Sequence, residues 1–312
     1  MGRNQLIDDV RDVLAKTGFF LSERTEARGL SFDIVARRDD LLLLVKVLQN
    51  VDALSRDNAE ELRLIATTLE GSPIIVGERS GGGPLEEGVI YSRFGVPIVS
   101  KQTFVDQFEE GVPPFMFSAP GGLYVRIDGQ ALRAARDDRG ISLGTLAEIA
   151  GVSRRAIQMY MEGMSATVDV AVRLEEFLGE SLVLPVDPFA YTRETGEALR
   201  GFEAFEAFER DVFRKLQSLG YSVLPTVRCP FDALTTRETL FLTAVPSRRE
   251  KLADKARIVS NISSVVEKDA VLFVEIHTSA QNIEGTPLIQ RSELRRIRDW
   301  DEIEDMIAER RK

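Results

Sequence analysis

The 312-residue chain has one cysteine, one histidine and one tryptophan. A single cysteine, Cys229, excludes an intramolecular disulfide and any zinc site built from several thiolates. The only histidine, His277, has no second imidazole and no thiol close to it in sequence, so no Ser-His-Asp or Cys-His arrangement is indicated. We therefore expect neither a bound metal nor a cofactor.

Long apolar runs are also missing from the sequence. The longest, such as residues 41–45, are far shorter than the ~20 residues of a membrane helix, and the first ten residues lack a signal-peptide pattern. These features predict a cytoplasmic protein without membrane contact. The net charge of -10 argues against a protein that coats nucleic acid non-specifically, because such binding requires many cations against the phosphates. The hydrophobic content of 44% is enough for two or three packed domains.

Residues 140–163, GISLGTLAEIAGVSRRAIQMYMEG, have the pattern of two helices joined by a tight turn. Gly151 provides the positive φ that such a turn needs, and Ser153 is a favourable N-cap for the second helix. Small or apolar residues recur at helical spacing and are expected to face the core. They are Leu143, Leu146, Ala147, Ala150, Val152, Ala156, Ile157 and Tyr160.

The outward face of the second helix keeps polar residues near its N-terminus, which is the end that enters the major groove in a helix-turn-helix. The predicted DNA-binding residues are Thr145, Ser153, Arg154, Arg155 and Gln158. Two further helices, residues 130–139 and 168–178, are expected to support the motif. The second of these should bury Val170, Ala171, Leu174, Phe177 and Leu178.

The segment SLGTLAEIAGVSRRAIQMYMEG followed by AVRLEEFLG resembles the Cro/C1 (phage-repressor) family of helix-turn-helix domains. Together with the preceding GGLYVRIDGQALRAARDDRG, it also resembles an archaeal group of helix-turn-helix transcriptional regulators. The resemblance implies a transcription regulator whose partner is double-stranded DNA. Because the chain is acidic, we expect it to bind a palindromic operator as a homodimer. A small-molecule effector remains open.

Comparison of the chain with itself at a shift of about 199 residues indicates a duplication. Residues 32–39 correspond to residues 231–238, and both are followed by an apolar strand. The predicted order α-β-β-β-α-β-β-α then occurs twice, which we call the N-terminal and C-terminal α/β segments. The expected divisions are residues 1–111 (α/β), 112–123 (linker or hairpin), 124–180 (helix-turn-helix), 181–200 (linker) and 201–312 (α/β).

The α/β segments resemble the restriction-endonuclease-like fold. Nucleases of that fold use an Asp, a Glu or Asp, and a Lys two residues later, because two carboxylates hold a divalent cation and the lysine assists the attacking water. The N-terminal segment has Asp33 and Lys46 in these places, but Leu44 replaces the middle acid. An incomplete active site is therefore predicted.

In the C-terminal segment only the first acid, Asp232, remains, with Thr243 and Val245 expected at the two other places. We expect both aspartates to cap strand ends rather than act in catalysis, so the fold class is a central helix-turn-helix flanked by two duplicated α/β domains without a complete active site. Two alternatives stay open. One is a structure-specific, metal-dependent nuclease targeted by the helix-turn-helix, and the other is an assembly protein that does not bind DNA.

Overall fold

A computed structural model describes residues 2–24, 29–189, 202–247 and 250–311. Contacts divide the chain into two compact units. The first unit comprises Met1–Val13, Leu48–Ala53 and Ile74–Tyr191, and the second comprises Leu14–Val47, Leu54–Pro73 and Thr192–Lys312. The sequential division expected from the sequence remains a prediction. In the described ranges, no helix is both long and apolar enough to cross a membrane.

Groups of strands alternate with helices along most of the chain. The helices are α1 Arg3–Lys16, α2 Arg56–Thr68, α3 Lys101–Val105, α4 Gly129–Asp138, α5 Leu143–Ala150, α6 Arg154–Met161, α7 Val168–Leu178, α8 Ala207–Ser218, α9 Leu252–Val266, α10 Arg291–Leu294 and α11 Asp301–Arg310. The strands are β1 Phe20–Leu21, β2 Ile34–Arg38, β3 Leu41–Asn50, β4 Ser72–Ser80, β5 Gly83–Pro84, β6 Val89–Arg93, β7 Val96–Ser100, β8 Met116–Ala119, β9 Gly122–Ile127, β10 Ala166–Thr167, β11 Val183–Leu184, β12 Ser222–Pro225, β13 Ala233–Thr236, β14 Leu240–Ala244, β15 Asp269–Val274, β16 Asn282–Ile283 and β17 Thr286–Gln290.

In the first unit, a run of paired strands leads to the helical segment. Strand β4 is parallel to β7, β7 is antiparallel to β6, and β6 is parallel to β8 through the pair Val89 and Met116. Strands β8 and β9 form a hairpin around Pro120 and Gly121, and β9 also pairs with the short strands β10 and β11. In sequence, β9 precedes helices α4 to α7, and β11, which pairs with β9, follows them.

In the second unit, one sheet has the strand order β12-β13-β14-β15-β17-β16. Strands β12, β13 and β14 are antiparallel neighbours, whereas β14, β15 and β17 run parallel. The same unit contains β1, β2 and most of β3, which pair antiparallel in a comparable way. Strand β3 starts with four leucines and is buried along most of its length, as expected for a strand covered on both faces.

The two α/β segments follow the predicted order of elements with additional short strands. Three strands lie between α1 and α2 and three between α8 and α9. Two strands were predicted after the second helix of each segment, but the structure adds β5 and β6 in the N-terminal segment and β16 in the C-terminal segment. Strands β5 and β16 have only two residues each, and a Gly-rich stretch such as residues 80–83 beside β5 is typical of a loop.

A buried carboxylate links the two α/β segments within the second unit. Glu61 on α2 is 7% exposed, and its carboxylate accepts hydrogen bonds from the Ser31 hydroxyl at 2.7 Å and from the backbone N–H groups of Val227 at 2.6 Å and Arg228 at 3.2 Å. The backbone of Ser31 also donates to the Arg228 carbonyl at 2.8 Å. One acidic side chain thus satisfies several donors that would otherwise be buried without a partner.

A close contact between helices of the first unit occurs at Gly129, the first residue of α4. A Cβ atom on this residue would lie 2.3 Å from the Met161 carbonyl oxygen and 2.7 Å from the Tyr160 carbonyl oxygen, at the end of α6. Both neighbours are backbone atoms that cannot rotate away. Glycine is therefore required here by close approach.

We predict that Gly129→Ala lowers the free energy of unfolding by about 1–3 kcal/mol, the usual cost of overpacking. Urea denaturation of the full-length protein followed by circular dichroism measures this loss. Gly82→Ala is the matched control, since its Cβ would meet only the Ser80 hydroxyl at 3.7 Å. Equal stability of the two variants would contradict the proposed close approach.

Candidate nucleic-acid interface

Helices α5 and α6 are joined by a left-handed turn at Gly151, which has φ 70°. The Gly151 N–H donates to the Glu148 carbonyl and the Val152 N–H to the Ala147 carbonyl, so the turn closes the end of α5. Ala147 and Ala150 are buried at the inner side of the turn. Both residues face the core, as expected from the sequence, and their small size allows the two helices to approach closely.

Each helix of the pair starts at a serine cap. The Ser142 hydroxyl accepts from the Thr145 N–H at 3.1 Å and lies 2.9 Å from the Thr145 hydroxyl, and the Ser153 hydroxyl accepts from the Ala156 N–H at 3.1 Å. Thr145 and Ser153, both predicted to bind DNA, are exposed. Their hydroxyls take part in caps, which fix the first turns of α5 and α6.

The side of α6 opposite the core carries Arg154, Arg155 and Gln158, all exposed. Within the described part of the chain, none of the three side chains has a hydrogen bond or an ion pair. Ile157 and Tyr160 on the other side of the helix are buried. The amphipathic pattern of α6 therefore leaves two cations and an amide free to contact a ligand.

Other arginines of the helical segment are engaged within it. Arg133 donates to the Met161 carbonyl at 3.3 Å, and Arg173 donates to the Ala150 carbonyl at 3.4 Å. Arg139 forms an exposed ion pair with Glu180 at 3.2 Å. These contacts stabilise the packing of the helices, whereas Arg154 and Arg155 make no hydrogen bond or ion pair with any of the residues that the structure describes.

The support helices lie close to the predicted ranges, with one residue placed wrongly. Val170, Ala171, Leu174 and Leu178 of α7 are buried, but Phe177 is 40% exposed. Phe177 and Leu178 are neighbours 100° apart on a helix, and the core follows the spacing of Leu174 and Leu178 instead. The prediction that Phe177 faces the core was therefore wrong.

At the nuclease-like positions of the N-terminal segment, Asp33 and Lys46 contact each other and nearby backbone groups. Asp33 precedes β2, and one oxygen of its carboxylate accepts from the Val47 N–H at 2.8 Å and lies 3.6 Å from the Lys46 ammonium. Lys46 also donates to the Leu30 carbonyl. Leu44, at the place of the middle acid, is fully buried and offers no oxygen to a cation.

The C-terminal segment repeats this arrangement with a lysine from another element. The Asp232 carboxylate accepts from the Val245 N–H at 2.7 Å, as Asp33 does from Val47, but its ion-pair partner is Lys255 on α9 at 3.1 Å. Burial raises the pKa of Asp232 above its usual value, and the charge of Lys255 opposes that rise.

The strand register corrects the predicted equivalence of the two segments. Ile34 pairs with Val45, and Ala233 pairs with Thr243. Thr243 is thus the equivalent of Val45, which places Leu242 and Ala244, rather than Thr243 and Val245, at the middle-acid and lysine places. The fixed shift used on the sequence overlooked a hairpin that is one residue shorter.

These residues do not fit a divalent cation. Hard cations such as Mg²⁺ need several oxygen ligands. At the nuclease-like positions described above, each segment provides one aspartate, which is already bonded to a lysine and a backbone N–H. Asp9, a carboxylate on α1, forms an ion pair with Lys101 at 2.6 Å, and that hydrogen bond holds the pKa of Asp9 below its usual value. Among the described residues, no group of three or more His, Cys, Asp or Glu residues is arranged to hold a metal ion.

Comparison with known proteins identifies a nuclease-like domain and a helix-turn-helix, the two kinds of domain that the geometry also indicates. Residues 3–114 match the PD-(D/E)XK superfamily domain, and residues 132–184 match the helix-turn-helix family. A protein of Methanosarcina barkeri named "Putative HTH-type transcriptional regulatory protein" is 38% identical over 100% of this chain and 98% of its own length. The chain belongs to this archaeal family.

Members of the family with the same printed name occur in other archaea. Those of Natronomonas pharaonis and Halobacterium salinarum are 39% and 36% identical, over 99% of this chain and 99% and 98% of their own lengths. The resemblance to archaeal helix-turn-helix regulators predicted from the sequence is therefore confirmed, as are the nuclease-like N-terminal fold and the helix-turn-helix. No solved structure matches the chain.

Two charged residues of this family member were not singled out from the sequence. Lys255 lies 23 residues from Asp232, and Glu61 lies more than 160 residues from Val227 and Arg228. The sequence signal that could have identified Lys255 and Glu61 is a charged residue on the apolar side of an amphipathic helix. Both α2 and α9 bury such a residue.

We predict that Lys255→Met lowers the free energy of unfolding by about 3–5 kcal/mol at pH 7, because it leaves Asp232 charged and buried without its partner. Removing the ammonium raises the pKa of Asp232 further. The carboxyl is then protonated in the folded state at low pH, so the stability difference from wild type should shrink between pH 7 and pH 4.

Chemical denaturation at both pH values measures this difference. The control is Lys251→Met, which changes an exposed lysine at the start of the same helix. A loss that is equal in the two variants, or that does not change with pH, would contradict the role of the ion pair.

Proposed function

We propose that this protein is a transcriptional regulator that binds a specific sequence of double-stranded DNA through α6 and does not cleave it. The observation that carries the proposal is the exposed face of α6, where Arg154, Arg155 and Gln158 are free while the opposite face is buried. In a helix-turn-helix this end of the second helix enters the major groove. Arginine and glutamine side chains there match the hydrogen-bonding edges of guanine and adenine. The names of the family members support the same function.

A homodimer on a palindromic site is the assembly that the charge of the chain favours. The net charge is -10, so a single copy gains little affinity from phosphates in general. When a dimer presents two copies of α6 to one duplex, the DNA contacts of the two copies add. Binding of the first copy also raises the effective concentration of the second copy at its half-site. We assign the dimer contact to the α/β domains, which we interpret as a duplicated nuclease-like fold retained as a scaffold. The cytoplasm, where an archaeal chromosome lies, is the proposed location.

The two rival functions account less well for the contacts. A metal-dependent nuclease needs a second carboxylate beside Asp33, where Leu44 stands, and a free lysine, whereas Lys46 is bonded to the Leu30 carbonyl. An assembly protein that does not bind DNA accounts less well for the position of the two arginines, at the end of α6 that enters the major groove in a helix-turn-helix. A small-molecule effector stays open, and the proposed function does not require one.

We predict that the full-length protein selects a palindromic duplex from a randomised library, with half-sites about one helical turn apart. Arg155→Ala or Gln158→Ala should weaken binding to that duplex by about 1–3 kcal/mol with an unchanged melting temperature, because each removes a base contact. Fluorescence anisotropy at fixed salt measures the affinity. Glu176→Ala, on the exposed side of α7, is the control and should bind like wild type. Recovery of no preferred sequence would refute specific binding.

We also predict no cleavage of duplex, single-stranded or junction DNA in Mg²⁺ or Mn²⁺, since Leu44 cannot bind a cation. Gel assays with labelled DNA test this, with a commercial restriction enzyme as the positive control in the same buffers. Metal-dependent cutting that disappears in Asp33→Ala or Lys46→Ala would establish the nuclease function instead.

A further inference from the structure

Arg154 rests on a glycine of the neighbouring helix. Gly144 is the second residue of α5, and a Cβ atom added to it would lie 3.1 Å from Nη2, 3.3 Å from Nε and 3.5 Å from Cζ of Arg154. The Nε–Nη2 edge of the guanidinium is therefore the part of Arg154 nearest to the glycine. The contact joins the first turn of α5 to the first turn of α6.

The backbone at Gly144 does not require a glycine. The residue is helical and does not have the positive φ that is found at Gly151. Glycine is among the least favourable residues inside a helix, so its presence in this partly buried first turn weakens α5 locally. What the missing side chain provides at this position is room, and the Arg154 guanidinium occupies it.

The orientation of Arg154 separates it from the two other polar residues of α6. Successive residues of a helix are 100° apart, so Arg155 points 100° away from Arg154, and Gln158 lies between them. Arg154 is at the edge nearest α5, which is the helix that crosses the DNA backbone in this motif. A guanidinium on that edge is better placed for the phosphates at the side of the groove than for the bases inside it.

We propose that Gly144 is a seat for Arg154, and that the seat directs the Arg154 guanidinium to a phosphate of the DNA backbone, leaving sequence reading to Arg155 and Gln158. The proposal rests on the DNA-binding function proposed above. Arg154 is a phosphate-contacting residue in this arrangement, and Gly144 is a positioning residue that acts through it. The planar guanidinium carries five N–H donors, so the donors turned away from the glycine, those of Nη1 among them, remain available for a phosphate.

A double-mutant cycle on the full-length protein tests the seat. The variants are Arg154→Ala, Gly144→Met and the two combined, and methionine is chosen because it fills the seat without bringing a donor. The probes are the duplex that wild type selects from the randomised library and a scrambled duplex of the same composition. Anisotropy titrations over a range of salt concentrations give the affinity for each probe and its salt dependence.

Each single variant should lose affinity for both duplexes by the same factor. The slope of log affinity against log salt should fall by about 0.9, the value for one lost phosphate contact. The combined variant should bind no more weakly than Arg154→Ala alone, because Gly144 acts only through that arginine. Arg155→Ala should instead reduce the preference for the selected duplex over the scrambled one.

Thermal melting separates this role from structural damage. Methionine favours the helix more than glycine does, so Gly144→Met should melt at the wild-type temperature or above it while DNA affinity falls. A parallel loss of stability and affinity would overturn the proposal, as would additive losses in the combined variant. Wild-type affinity and salt slope in Gly144→Met, or an Arg154→Ala variant that loses only sequence preference, would also overturn it. If wild type selects no duplex at all, the proposed function fails, and the seat proposal falls with it.

Discussion

The angle between α5 and α6 depends on the left-handed turn at Gly151, and the candidate DNA-facing surface depends on that angle. A side chain at this φ would be strained, and a larger residue than Ala147 or Ala150 would separate the helices. Once the two helices are packed in this way, Ile157 and Tyr160 must face inward. The direction of the polar side of α6 is then fixed by the core.

A second constraint is the need to neutralise a buried carboxylate at the same place in both α/β segments. The aspartate accepts one backbone N–H in each case, but the ammonium comes from strand β3 in one segment and from helix α9 in the other. The charge balance is kept although the residue that provides it differs. This is the pattern expected where an aspartate has a structural role, because an unpaired charge in the interior is costly whichever element lies nearby.

The parts of the structure that could be predicted from the sequence are those determined by local patterns. The serine cap of α6, the turn glycine and the apolar positions of α5 and α6 follow from spacing within about twenty residues. The contacts of Lys255, Glu61 and Arg154 could not be predicted, because each partner belongs to a different element and depends on how the elements pack. Phe177 and the register of β14 were misplaced by one residue, since a one-residue shift changes the face to which a side chain points.

The pairing of β9 with β8, β10 and β11 has a mechanical consequence for a dimer. The chain enters the helical segment from a hydrogen-bonded strand and leaves it through another, and β8 continues this pairing to β6. Rotation of the helices relative to these strands would break backbone hydrogen bonds. In the proposed dimer, the separation and twist between two copies of α6 are then set by a stiff frame. Since each added base pair moves a half-site by about 3.4 Å and roughly a tenth of a turn, such a frame tolerates little variation in operator spacing.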